Sequence, residues 1–193
     1  MKRITFDKIV TFVGLGLAVF LLIAAGLLNW GATFASGTVA SQLEAQQITM
    51  PAENGDPNAD ATTVAFFKEN GDKIMSTGKQ AQMYADHYIA FHMSGMPPYA
   101  AASGASRAAA AALAADPTNP ELQAAATKAS ATVETVFKGE TLRGMLLNAY
   151  AFGTLGDIAA IAAKVTFVGA ILMFLFVILG IRHIRRTPLD ATI

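Results

Sequence analysis

The sequence predicts an all-α membrane protein: two transmembrane helices form a hairpin, with a helical extracytoplasmic domain between them. Three observations predict this class: an uncharged run from Ile9 to Leu28, a second from Val165 to Ile181, and basic residues on the outer edge of each. Lys2, Arg3 and Lys8 precede the first run, and Arg182, Arg185 and Arg186 follow the second. At about 1.5 Å per residue the first run reaches about 30 Å, the thickness of bilayer hydrocarbon. The second reaches it when Ile158 to Ala163 join, with Lys164 extending its ammonium toward the headgroups. Basic outer flanks place both termini in the cytoplasm. The expected order is a tail at 1–8, a span at 9–30, an extracytoplasmic domain at 31–157, a span at 158–181 and a tail at 182–193. The expected location is the plasma membrane.

The first run also offers Thr33-Phe34-Ala35 and Thr38-Val39-Ala40 as signal cleavage sites. Signal cores run about 7–15 residues, so the longer run here reads as an anchor.

Formal net charge is zero, but charge is sorted along the chain. Between Gly31 and Asp157 stand seven basic residues and twelve acidic ones, a net charge of −5 that makes nucleic acid a poor partner. The chain has no cysteine, which excludes disulfides, thiolate nucleophiles and iron–sulfur ligation. The tails are too short to fold by themselves.

Trp30, the single tryptophan, falls where an interfacial aromatic belt would lie. The first helix is expected to continue to about Gln47, until Pro51 and the run Glu53-Asn54-Gly55-Asp56-Pro57-Asn58 break it. Val64, Phe66, Phe67, Ile74 and Met75, interrupted by Asn70-Gly71, read as two short helices or as a helix and a turn. A stronger helix runs from Gly78 to Met93, with Met83, His87 and Phe91 in one i+4 row and Tyr84 and Tyr88 in another. Gly95-Met96-Pro97-Pro98 ends it. The Ala-rich stretch Tyr99 to Ala115 is either a closely packed helix or a connector. Asn119-Pro120-Glu121 supplies an N-cap, a proline at the first position and a first-turn carboxylate. Pro120 to Ile181 is therefore expected to be largely helical, with a weak point at Lys138-Gly139.

His87, His92 and Asp86 are the parts of a mononuclear iron site. On an α-helix, however, residues five apart diverge by about 140°, whereas ligands to one metal want i+3 or i+4. His92 with Met93 and Met96 is a thioether-rich alternative suited to Cu(I). Neither constellation is expected to hold a metal, and no catalytic motif occurs, so no enzyme activity and no cofactor are expected. Gly14 and Ala18 on the first span, and Gly153, Gly156 and Ala160 near the second, form small-residue stripes for helix packing or partner contact. With Leu142, Leu146 and Ala149 the second stripe forms a seam. Trp30, Lys164, Arg182, Arg185 and Arg186 are the expected membrane-interface anchors.

Several stretches occur in a recognisable order. They are Asn29-Trp30 to Pro51, with Ser41-Gln42-Leu43 and Gln47-Ile48-Thr49; Gly78-Lys79-Gln80-Ala81-Gln82 with Met83 to Met96; and Phe137-Lys138-Gly139-Glu140-Thr141-Leu142-Arg143-Gly144 through Tyr150. Together they resemble a family of small two-span actinobacterial membrane proteins, the respiratory supercomplex association factors and related accessory subunits of the cytochrome bcc–aa3 supercomplex. The resemblance implies a non-catalytic subunit that carries no haem or copper. Its implied partners are the cytochrome bcc and aa3 oxidase subunits and the lipid bilayer. The residues themselves leave open a second class, a free-standing two-span sensor or binding protein with an extracytoplasmic ligand site. The short tails, which have no room for an output domain, weigh against it.

Overall fold

The computed structural model describes residues 1–188, 191 and 192; Leu189, Asp190 and Ile193 of the expected C-terminal tail lie outside it. The chain is all-helical, and two of its helices are long and apolar enough to cross a membrane. These are α1 (Arg3–Ala45) and α6 (Pro120–Ile184). Between them lie α2 (Ala61–Asn70), α3 (Gly78–Met83), a π-helical turn (Tyr84–Ile89), α4 (Ala90–Met93) and α5 (Tyr99–Ala115). The chain divides into two compact units, one of Met1–Thr38 with Thr154–Ile193 and the other of Val39–Gly153.

In the first unit, α1 and α6 lie side by side with residue numbers running in opposite directions. A Cβ built at Gly180 meets Thr11, one at Gly14 meets Val177 and Met173, one at Gly169 meets Leu21, and one at Gly156 meets Ala35. The buried positions recur every seven residues on both helices: Ala18, Ala25 and Ala32 on α1, and Gly156, Ala163, Ala170 and Val177 on α6. A seven-residue repeat keeps one stripe of each helix facing its partner along a left-handed pair. Six of the seven repeat positions are alanine or glycine, small enough that at Gly156 a Cβ would stand 3.4 Å from the Ala32 carbonyl oxygen, and the pair is held by dispersion. The remaining surface is apolar and open. Phe12, Phe20, Phe167 and Phe176 are all exposed, and the most apolar windows of α1 and α6 are only 11% and 17% buried. A core helix of a soluble protein would bury most of such a window; these helices leave theirs outward.

The second unit has a core of Val39, Leu43, Met50, Phe67, Met75, Ala81, Met83, Ala85, Ile89 and Leu146. α1 ends at Ala45, and Gln47 adopts a left-handed conformation (φ 52°) that turns the chain into an extended stretch. There the Met50 N–H donates to the Lys73 carbonyl at 2.9 Å and the Met75 N–H donates to the Ile48 carbonyl at 2.8 Å. Of the two readings of residues 64–75, the structure has the helix and the turn, and the turn is pinned to Ile48–Met50 by these bonds. Gly71 is required at its place, since a Cβ there would lie 2.8 Å from the Cα of Ala52.

Helix ends are set by side chains. Asp60 caps α2, accepting from the N–H groups of Thr62 and Thr63 at 2.9 and 3.0 Å and from the Thr63 hydroxyl at 2.7 Å. The Thr63 hydroxyl and N–H bonds hold the Asp60 carboxyl below its usual range. Its capping contribution is therefore present above the ordinary carboxylate pKa and is lost as pH falls through the depressed value. Thr77 and Gln80 form a reciprocal capping box at α3. Gln80 is buried, and its side chain joins three pieces: Oε1 accepts from the N–H of Ser76 and of Thr77, and Nε2 donates to Asn70 Oδ1 at 3.1 Å. At α6, Asn119 Oδ1 accepts from the N–H of Glu121 and Leu122 at 3.0 and 3.3 Å.

Two expectations need correction. No weak point exists at Lys138-Gly139, because α6 is continuous there. Lys138 pairs with Glu134 one turn earlier at 2.6 Å, and Gly139 provides the space into which the Met93 thioether packs. The helix from Gly78 to Met93 is not a uniform α-helix either, since its middle, Tyr84–Ile89, widens to a π turn. The 140° divergence of His87 and His92 assumed a regular 3.6-residue turn and does not hold across this widening. Tyr99–Ala115 is a helix, with Tyr99 beside Phe137 at 6.1 Å between ring centres and Ala102 buried.

Candidate interaction surfaces

The π turn begins a ladder of rings. Tyr84 and Tyr88 stand 4.8 Å apart between centroids, and His92 continues the row at 4.3 Å from Tyr88. Burial and the neighbouring Tyr88 push the Tyr84 phenol above its usual pKa. His92 Nδ1 lies 2.7 Å from the Tyr88 carbonyl oxygen. Its ring edge lies over Gly55, whose positive φ of 84° suits glycine and where a Cβ would stand 3.2 Å from the His92 Cε1.

Three of the residues that could be grouped as metal ligands have partners of their own. His92 faces Gly55, whereas the sulfur of Met93 packs on Gly139. Asp86 is instead an ion-pair partner: its Oδ1 lies 3.3 Å from Arg143 Nη2 on α6. Among the described residues, no group of three His, Asp or Glu side chains is placed to hold a metal ion. Arg143 went unnoticed as a candidate in the sequence, since a lone arginine fifty-seven positions from its partner carries no local signal.

The small-residue positions are occupied from within the chain. In the first unit Gly14 lies against Val177 and Met173, Ala18 is fully buried, Gly156 lies against Ala32, Ala35 and Ser36, and Ala160 is half-buried. In the second unit Gly153 faces Gly78, where a Cβ would stand 3.3 Å from the Gly78 Cα, and Leu146 is part of the core. Much of the seam from Leu142 to Ala160 is thus engaged in intramolecular packing, while Leu142 itself remains exposed.

What stays open is the outer apolar surface and the residues at its edges. Trp30 is 67% exposed and stacks on Phe34 at 5.8 Å. Lys164, Arg182, Arg185 and Arg186 are all exposed. An indole and a row of cations bordering apolar helices match the chemistry of a membrane–water interface. The chain matches no family model, no curated protein and no solved structure.

Proposed function

We propose that this chain is a non-catalytic accessory subunit of a membrane-embedded respiratory complex of the cytochrome bcc–aa3 type, threaded through the membrane as a two-span hairpin. Both termini lie in the cytoplasm and the segment 31–157 lies outside. The observation that carries the membrane part is the outward apolar surface of α1 and α6, of which so little is buried. Such a surface is stable only against lipid or against other apolar helices. The respiratory part is supported by the resemblance of the segments at Asn29–Pro51, Gly78–Met96 and Phe137–Tyr150 to accessory subunits of that complex.

Blue native electrophoresis of mildly solubilised membranes tests the partner. Comigration with respiratory cytochromes is the expected result, and a band near the mass of the chain alone favours the free-standing sensor. The absence of cysteine makes topology easy to read. Ala111→Cys, at an exposed position of α5, should react with an impermeant maleimide in intact cells, and Thr192→Cys should react only after lysis. The reverse pattern would invert the topology.

A further inference from the structure

We infer that the two ends of the chain build one cationic surface that binds the headgroups of anionic phospholipids. The inference rests on the two-span membrane reading. In the first unit the start of α1 and the end of α6 meet. A Cβ at Gly180 would touch Thr11, and Asp7 Oδ2 lies 3.6 Å from His183 Nε2. Beyond them the Arg3 N–H donates to the Ala191 carbonyl at 3.0 Å, and Lys2 pairs with Thr192 across an antiparallel bridge. Sequence alone shows two separate basic flanks; the backbone bonds join them. Lys2, Arg3, Lys8, Arg182, Arg185 and Arg186 thereby share one end, and all six side chains are exposed.

Among the described residues none of the six has an ion-pair partner, and Asp7, the one acid at this end, is beside His183. Asp190 belongs to this end in sequence and lies outside the described residues. Six exposed cations gathered at one end, without an ion-pair partner among the described residues, repel one another, so an anion from outside the chain is favoured there. The anion is identified by what surrounds it. The cations crown a pair of helices whose sides are apolar and open, so they stand where a leaflet presents its phosphates. Arginine forks match phosphate oxygens in pairs, and lysine supplies point charge.

The test uses the full chain reconstituted into nanodiscs of phosphatidylcholine with a minor share of phosphatidylglycerol, followed by native mass spectrometry of the lipid that stays bound. The parent should retain phosphatidylglycerol in preference to phosphatidylcholine, less so at high salt. Each neutralised cation should weaken that preference by up to about fivefold. Lys2→Gln/Arg3→Gln/Lys8→Gln and Arg182→Gln/Arg185→Gln/Arg186→Gln should therefore each reduce it by about tenfold to a hundredfold, and Asp7→Asn should raise it. A parent that inserts and retains both lipids equally overturns the inference, as does a preference that survives both triple substitutions. Loss from one triple substitution alone would reject a shared surface. A chain that never enters the nanodisc would overturn the membrane reading, and this inference with it.

Discussion

Truncating Phe67 to alanine should destabilise the Val39–Gly153 unit by about 3–5 kcal/mol, the range for deleting a fully buried aromatic side chain. Phe67 is 0% exposed, and the other large side chains buried as completely are Met50, Met75 and Val136. The cavity would be bordered by residues already fixed by hydrogen bonds. The backbone at Met50 and Met75 is held by the bonds to Lys73 and Ile48, and Gln80 ties Asn70 to the start of α3. Little can collapse into the space, which places the cost toward the upper part of the range. Domains are stable by only about 5–15 kcal/mol, so this loss should expose much of the unit to exchange. Amide hydrogen exchange of the full chain in detergent is the measurement, with protection expected to fall across 61–89. Val64→Ala, three residues earlier and 50% exposed, should change protection little. Equal protection in the Phe67 variant would mean that the core closes over the cavity or that Phe67 is not its centre.

Much of the helical framework was legible because each signal was local. About twenty uncharged residues must be satisfied by apolar surroundings, and Asn119-Pro120 starts a helix by its own hydrogen-bond arithmetic. What the sequence hid was non-local or opposed by packing. Gly139 looked weak because glycine costs about 1 kcal/mol within a helix, yet at Gly139 the missing side chain admits Met93. The π turn at Tyr84–Ile89 has no composition of its own. It keeps Ala85 and Ile89 buried while Asp86 reaches Arg143 and Tyr84 and Tyr88 stack, a set of demands made by the whole unit. The bonds of Ile48–Met50 to Lys73–Met75 join segments some twenty-five residues apart that share no pattern. One signal was present and missed. Ala18, Ala25 and Ala32 stand seven apart, as do Gly156, Ala163 and Ala170, but in an Ala-rich chain a heptad of alanines is masked by alanines at other positions.

That heptad gives the second large effect. Ala18 and Ala170 are both 0% exposed, and the helices touch on either side of Ala18, at Gly14 with Val177 and at Leu21 with Gly169. Leucine at either position adds three carbons at a fully buried site. Overpacking of this kind costs about 1–3 kcal/mol per site, or about a fivefold to 150-fold loss in helix association. A cross-link reads the distance directly. The Cβ of Thr11 lies 3.6 Å from a Cβ built at Gly180, within the spacing of about 3.5–4.5 Å that a disulfide needs. In a chain without cysteine, Thr11→Cys with Gly180→Cys should join α1 to α6 when membranes are oxidised. Adding Ala18→Leu and Ala170→Leu should slow that reaction by tenfold or more. Leu22→Ala, at an exposed position of the same helix, should leave the rate unchanged, because its side chain is exposed and not among the residues that fill the contact with α6. If the parent pair fails to cross-link, the antiparallel contact is wrong. If cross-linking persists in the leucine variants, the small residues are not what brings the helices together, and the stripe of alanines reflects composition alone.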